Sequence, residues 1–152
     1  MAIVAPVSKY KIKTYLIYIV AVIALAVYCV YDGYFNQSFK DKHLIDGKPD
    51  KTMTANQQAP YYLGGLAVLL GIYVLVIRGR KITAEDNALI INSKLTIPYD
   101  SIQKIDKTNF DTKGSFVITC KTPDGKEIDR KISDADYDNL KPILDHLVAK
   151  IS

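Results

Sequence analysis

Two uncharged apolar runs constrain this chain more than any other feature. Residues 15–31 read YLIYIVAVIALAVYCVY and residues 61–77 read YYLGGLAVLLGIYVLVI, with no Asp, Glu, Lys, Arg or His in either. A helix rises about 1.5 Å per residue, so each run covers roughly 26 Å, near the hydrocarbon thickness of a bilayer. The first run follows lysines, as a signal peptide does, but it is longer than a typical signal core and no small-x-small cleavage site follows it. Tyr28 before Cys29 argues against a lipoprotein site. Both runs therefore read as uncleaved transmembrane helices.

The 152 residues divide accordingly into a basic N-terminus (1–13), a first span (14–31), a connecting loop (32–60), a second span (61–77) and a tail (78–152). The formal net charge of +4 is local in origin. Lys9, Lys11 and Lys13 precede the first span, and Arg78, Arg80 and Lys81 follow the second. From residue 82 onward twelve acids face ten bases, so the charge reports topology and not a nucleic-acid footprint. The connecting loop balances four lysines with four aspartates. Lys and Arg beside the spans set orientation, which places both termini in the cytoplasm and the loop outside. Tyrosines cluster at both expected interfaces. The expected location is a bacterial inner membrane.

The second span carries Gly64, Ala67 and Gly71 on one helical face, where small residues permit close approach. Ala21 and Ala24 on the first span offer a matching stripe. Such a face serves either the hairpin itself or another integral membrane protein. In the loop, D-G-K-P at 46–49 reads as a turn, Pro60 as a helix start and His43 as a solvated surface residue. Phe35 and Phe39 have the i, i+4 spacing of a short amphipathic turn. The loop is either unstructured or a docking segment.

Beyond Lys81 the pattern changes to short alternation. Residues 81–84, 88–91, 95–97, 115–122 and 127–132 are strand candidates, with Phe116, Ile118 and Cys120 on one face by the period of two, and 101–106 reads as a short strand or a single helical turn. Pro123, Asp124 and Gly125 form a turn. Ser133 to Asp136 resembles a capping box, and the neighbouring aspartates read as helix-start acids. Leu140, Ile143, Leu144, Leu147, Val148 and Ile151 form one apolar stripe of a final helix. Pro142 implies either a kink there or a helix start near Leu140. His146 falls off the stripe and is expected to be exposed.

The fold class is thus α+β: a two-helix membrane hairpin, then a small antiparallel β-rich domain with a C-terminal amphipathic helix. Over 81–152 the tail resembles the bacterial pleckstrin-homology-like domains found beside one or two membrane spans. The resemblance is carried by ITA at 82–84, LII at 89–91, IPYDSIQKID at 97–106, Lys113-Gly114 before a long strand, and the terminal helix. A complete barrel of that family has seven strands, which requires the regions around 81–91 and Ile102 to contribute. The resemblance implies an interaction scaffold without catalysis.

No catalytic, cofactor or metal motif competes with this reading. Two histidines and two cysteines are scattered, and GRK at 79–81 lacks the Gly-Lys-Ser/Thr of a phosphate loop. The expected function is a membrane-anchored interaction module, an accessory or assembly subunit of a larger membrane complex. The alternative is a sensor of the inner lipid leaflet, with Lys9, Lys11, Lys13, Arg78, Arg80 and Lys81 as headgroup contacts. Expected partners are membrane lipids and other integral membrane proteins.

Overall fold

The computed structural model describes residues 2–151 and divides into two compact units. The first combines residues 1–12 with 76–152, and the second comprises 13–75. The class is α+β, with two long apolar helices and antiparallel sheets. The division differs from the sequence reading, which left residues 1–13 as a plain basic terminus.

In the first unit the chain opens with strand β1 (Ile3–Pro6), which pairs antiparallel with β4 (Lys81–Ala84). Strands β5 (Ala88–Ile91) and β6 (Leu95–Pro98) extend this sheet in the order β1-β4-β5-β6. A second sheet joins β7 (Ile102–Asp106), β8 (Ser115–Lys121) and β9 (Glu127–Ser133) in sequence order. Helix α5 (Leu140–Ile151) follows.

Local chemistry explains the turns. Asn92 and Ser93 link β5 to β6 at φ 54° and 55°, a left-handed pair suited to a tight hairpin, and asparagine tolerates that region. Gly125 supplies φ 80° between β8 and β9, with its N–H donated to the Thr122 carbonyl at 2.9 Å. Gly114 ends the short helix α4 (Phe110–Lys113) at φ 60°, and its carbonyl accepts from the Asp134 N–H at 2.9 Å.

The alternation along β8 buries Phe116, Ile118 and Cys120, as the sequence predicts. From α5, Leu140, Ile143, Leu144 and Leu147 join the same cluster, together with Ala5, Ile82, Ala84 and Leu89 of the first sheet. Each large side chain so buried contributes roughly 1.5–3 kcal/mol.

The helix-start expectation at 133–136 changes. Ser133 does not cap α5: its carbonyl accepts from the Asp136 and Tyr137 N–H groups in a turn, and α5 begins at Leu140. His146 is half-buried, not exposed. Its Nε2 lies 3.2 Å from the Glu85 carbonyl, and its ring centroid 6.0 Å from that of Tyr99. The Tyr99 hydroxyl donates to the same carbonyl at 2.6 Å. Burial first, then Asp86 and Glu85, pushes the Tyr99 phenol up.

Helix α1 (Lys9–Val30) passes from the first unit into the second and continues as a π-helical turn (Tyr31–Phe35). Helix α2 (Gln37–His43) and the two-stranded hairpin β2 (Leu44–Ile45) and β3 (Lys48–Pro49) follow, turned by Asp46 and Gly47 at positive φ. Helix α3 (Lys51–Arg78) then runs back. The connecting loop is therefore largely helical, and Phe35 and Phe39 fall in different elements. Pro60 lies inside α3 rather than at its start. The true start is Asp50, whose carboxylate accepts from the Met53 N–H at 2.8 Å and pairs with His43 Nδ1 at 2.7 Å. His43 is thus hydrogen-bonded to Asp50 and lies against Phe39, with ring centroids 4.3 Å apart. The Met53 N–H first, then the His43 side chain, holds the Asp50 carboxyl below the ordinary carboxylate range.

Two predictions follow from these contacts. Leu147→Ala should cost about 2–5 kcal/mol in denaturant unfolding of the domain, whereas Ala149→Ser on the exposed face should be near neutral. For Asp50, the folded-state pKa is depressed. Its contribution to order around 43–53 is therefore full above the ordinary carboxylate pKa and is lost as pH falls through the depressed value. Hydrogen exchange at the Met53 amide should accelerate across that acid window, and Asp50→Ala should remove the dependence.

Candidate functional site

Three places are candidates, and two of them gather side chains that the sequence singles out. The first lies at the base of the apolar helices, within the first unit. Residues 6–11 run through a cradle formed by the loop between β9 and α5. The Ser8 N–H donates to the Asp136 carbonyl at 2.9 Å, and the Asp138 N–H donates to the Pro6 carbonyl at 2.8 Å. Val7 bridges to Tyr137, whose hydroxyl donates to the Asn92 side chain at 2.9 Å. Ser8, almost fully buried, stands at the N-cap position of α1, and its carbonyl accepts from the Ile12 N–H. The Asp138 carboxylate accepts the Lys9 N–H at 3.0 Å. A carboxylate there satisfies an orphan donor and complements the helix dipole. Asp136 and Asp138 do meet a helix start, but the helix is α1 and not α5, while Asp134 packs against Gly114.

The six basic residues expected to meet lipid headgroups are divided by this arrangement. Lys11 pairs with Asp136, so its charge is engaged inside the domain. Arg80 is half-buried in a cavity of about 150 Å³ lined with Val7, Lys11, Ile77, Asp136 and Tyr137. Lys9, Lys13, Arg78 and Lys81 are exposed.

The second place is the hairpin of the second unit. Along α1, Tyr15, Ile19, Val22 and Ala26 are half-buried and Cys29 is buried, a face with alternating spacings of three and four. Tyr15 meets Tyr73 of α3 at a centroid distance of 4.9 Å. Ala21 and Ala24 lie outside this face and stay exposed. Gly64 and Ala67 line an apolar groove of about 280 Å³ with Ile23, Ala26, Val27 and Val30. A Cβ built on Gly64 or Gly71 would meet nothing within 4 Å. The close approach in this hairpin is made elsewhere, at Gly33. Its Cβ would stand 3.2 Å from Asn56 and Gln57, and its carbonyl accepts from the Gln57 side chain at 3.2 Å. The sequence offers a signal for this in an isolated glycine just past an apolar helix.

The third place, not anticipated from the sequence, is a groove of about 670 Å³ in the domain. Leu95, Ile97 and Pro98 of edge strand β6 line it together with Ser101, Cys120 and Thr122. Both cysteines are free. Among the described residues, no three His, Cys, Asp or Glu side chains gather to hold a metal ion.

No family model, curated protein or solved structure matches this chain. Its function is therefore argued from geometry.

The cradle yields a further prediction. Asp138→Ala should lower the stability of the first turn of α1 by roughly 0.5–2 kcal/mol, with Asp138→Asn restoring most of it, as read by amide exchange at Lys9.

Proposed function

We propose that this chain is a membrane-anchored, non-catalytic interaction module, an accessory or assembly subunit of a larger membrane protein complex. The observation that carries the reading is the unfilled glycine face of α3. Gly64 and Gly71 provide the small surface on which helices associate in lipid, where packing and not hydrophobicity drives contact. The chain's own hairpin leaves both glycines open to 4 Å.

Membrane residence is supported by the two helices of 27 and 28 residues, long and apolar enough to cross a bilayer. Their apolar stretches are scarcely buried within the protein, unlike the core helix of a soluble fold. Because β1 and β4 flank the hairpin and pair with each other, the two crossings must return the chain to its starting side. The lysines and arginines at the helix bases favour the cytoplasm for that side, in a bacterial inner membrane.

The domain supports a pleckstrin-homology-like reading. Four strands in one sheet, three in the other and a C-terminal helix give the count that such a barrel needs. The four exposed basic residues favour lipid headgroup contact as a second reading, at about 1 kcal/mol each near an anionic leaflet.

Purification of the full chain in mild detergent should bring down a discrete set of integral membrane proteins. Gly64→Leu with Gly71→Leu should reduce their recovery about tenfold or more, a loss of ~1.4 kcal/mol or greater, while the domain's thermal unfolding stays unchanged. A clean monomer or homo-oligomer from both proteins would remove the accessory-subunit reading.

A further inference from the structure

The domain is discontinuous in sequence. Its first strand lies at residues 3–6 and its second at 81–84, with both apolar helices between them. Three residues of the N-terminal segment are nevertheless buried in this domain, while Val4 and Pro6 face outward. Ala5 is 0% exposed, Ser8 1% and Val7 6%.

The segment is gripped along both edges. On one side the ladder pairs Ile3 with Ala84, Val4 with Thr83, Ala5 with Ile82 and Pro6 with Lys81, and the Val7 N–H donates to the Arg80 carbonyl at 3.0 Å. On the other side the backbone of Asp136 and Asp138 closes on Ser8 and Pro6, and the Asp138 side chain on Lys9. The strand covers Ile82, Ala84 and the inner face of α5, all in one core cluster. Removing it would open the edge of β4 and expose these side chains together.

We propose that residues 2–8 act as a strap, an internal strand ligand that fills a β-augmentation slot between β4 and the loop before α5, and on which closure of the whole domain depends. The strap is carried on the N-terminal end of α1, the first helix of the hairpin. The domain therefore completes only when both ends of the hairpin emerge on one side, and a chain with a single span inserted leaves the slot empty. This consequence rests on the membrane reading; the strap itself rests on the strand pairing alone.

The test uses the full chain in membranes with hydrogen exchange as the readout. Ala5→Asp forces a carboxylate into a fully buried position, whereas Val4→Asp changes the neighbouring residue of the same strand, 41% exposed. Ala5→Asp should speed exchange at least about a hundredfold in β4, β5 and α5 together, the sign of a cooperative opening. Val4→Asp should leave those amides within a few-fold of the parent. Slow exchange in α5 of the Ala5→Asp protein would overturn the proposal, because it would show a domain that stays closed without its strap. Equal damage from Val4→Asp would also overturn it, since the effect would then not come from the slot. Extraction of the parent chain at alkaline pH tests membrane residence separately: release from the membrane would remove that reading while the exchange result still judges the strap.

Discussion

The pairing of β1 with β4 is the constraint on which the rest of the molecule depends. It joins residues 3–6 to 81–84 across both long helices, so the domain cannot be assembled from one continuous piece of chain. The order of events matters physically. A non-local strand pair can form only after the entropy of closing the intervening loop is met. Here that loop is itself a structured hairpin, which holds its own ends near each other and lowers the cost. The tight elements of the second unit contribute to this: the Gly33 approach to α3, and the junction where the His43–Asp50 pair joins the end of α2 to the start of α3.

Charge is used more locally than the net value suggests. The lysines before the first helix divide into two roles. Lys11 turns into the domain to meet Asp136, while Lys9 and Lys13 keep their side chains exposed. The aspartates after β9 supply the opposite pole. One accepts a helix-start N–H and one pairs with a lysine, so the acid excess of the domain is partly spent on anchoring its own N-terminal helix. A part-exposed ion pair of this kind is worth little alone. It matters here because it accompanies three backbone hydrogen bonds that tie residues 6–8 to Arg80, Asp136 and Asp138.

The hairpin shows a similar division between what is filled and what is left open. The contact at Gly33 is close enough that an added Cβ would crowd Asn56 and Gln57, whereas one at Gly64 or Gly71 would meet nothing within 4 Å. A small-residue face can therefore be read from a sequence without knowing which partner meets it. Gly64, Ala67 and Gly71 are three or four residues apart whether or not a helix lies against them. The facing residues Ala26, Val27 and Val30 are set by the crossing of α1 and α3, which side-chain spacing alone does not fix. The stripe of Ala21 and Ala24 met the spacing rule and still points away from the pairing face.

By itself the sequence determined the elements whose signal is local. The apolar runs follow from length and the absence of charge, β8 from the period of two, α5 from the period of 3.6, and the turns at Gly47 and Gly125 from the positive φ that glycine accepts. Tertiary structure decided what pairs with what. The IVAP of β1 is too short and too uniformly apolar to show alternation, and it contains a proline, so nothing local marks it as a strand. It becomes one because the open edge of β4 pairs with its backbone and the Asp138 N–H donates to the Pro6 carbonyl. His43 and His146 looked solvent-facing for the same reason: the carboxylate of Asp50 and the carbonyl of Glu85 reach them only through the fold. Hydrophobic periodicity is a property of one element, whereas a hydrogen-bonded edge, a cap from a distant loop and a side-chain pair are properties of two elements brought together.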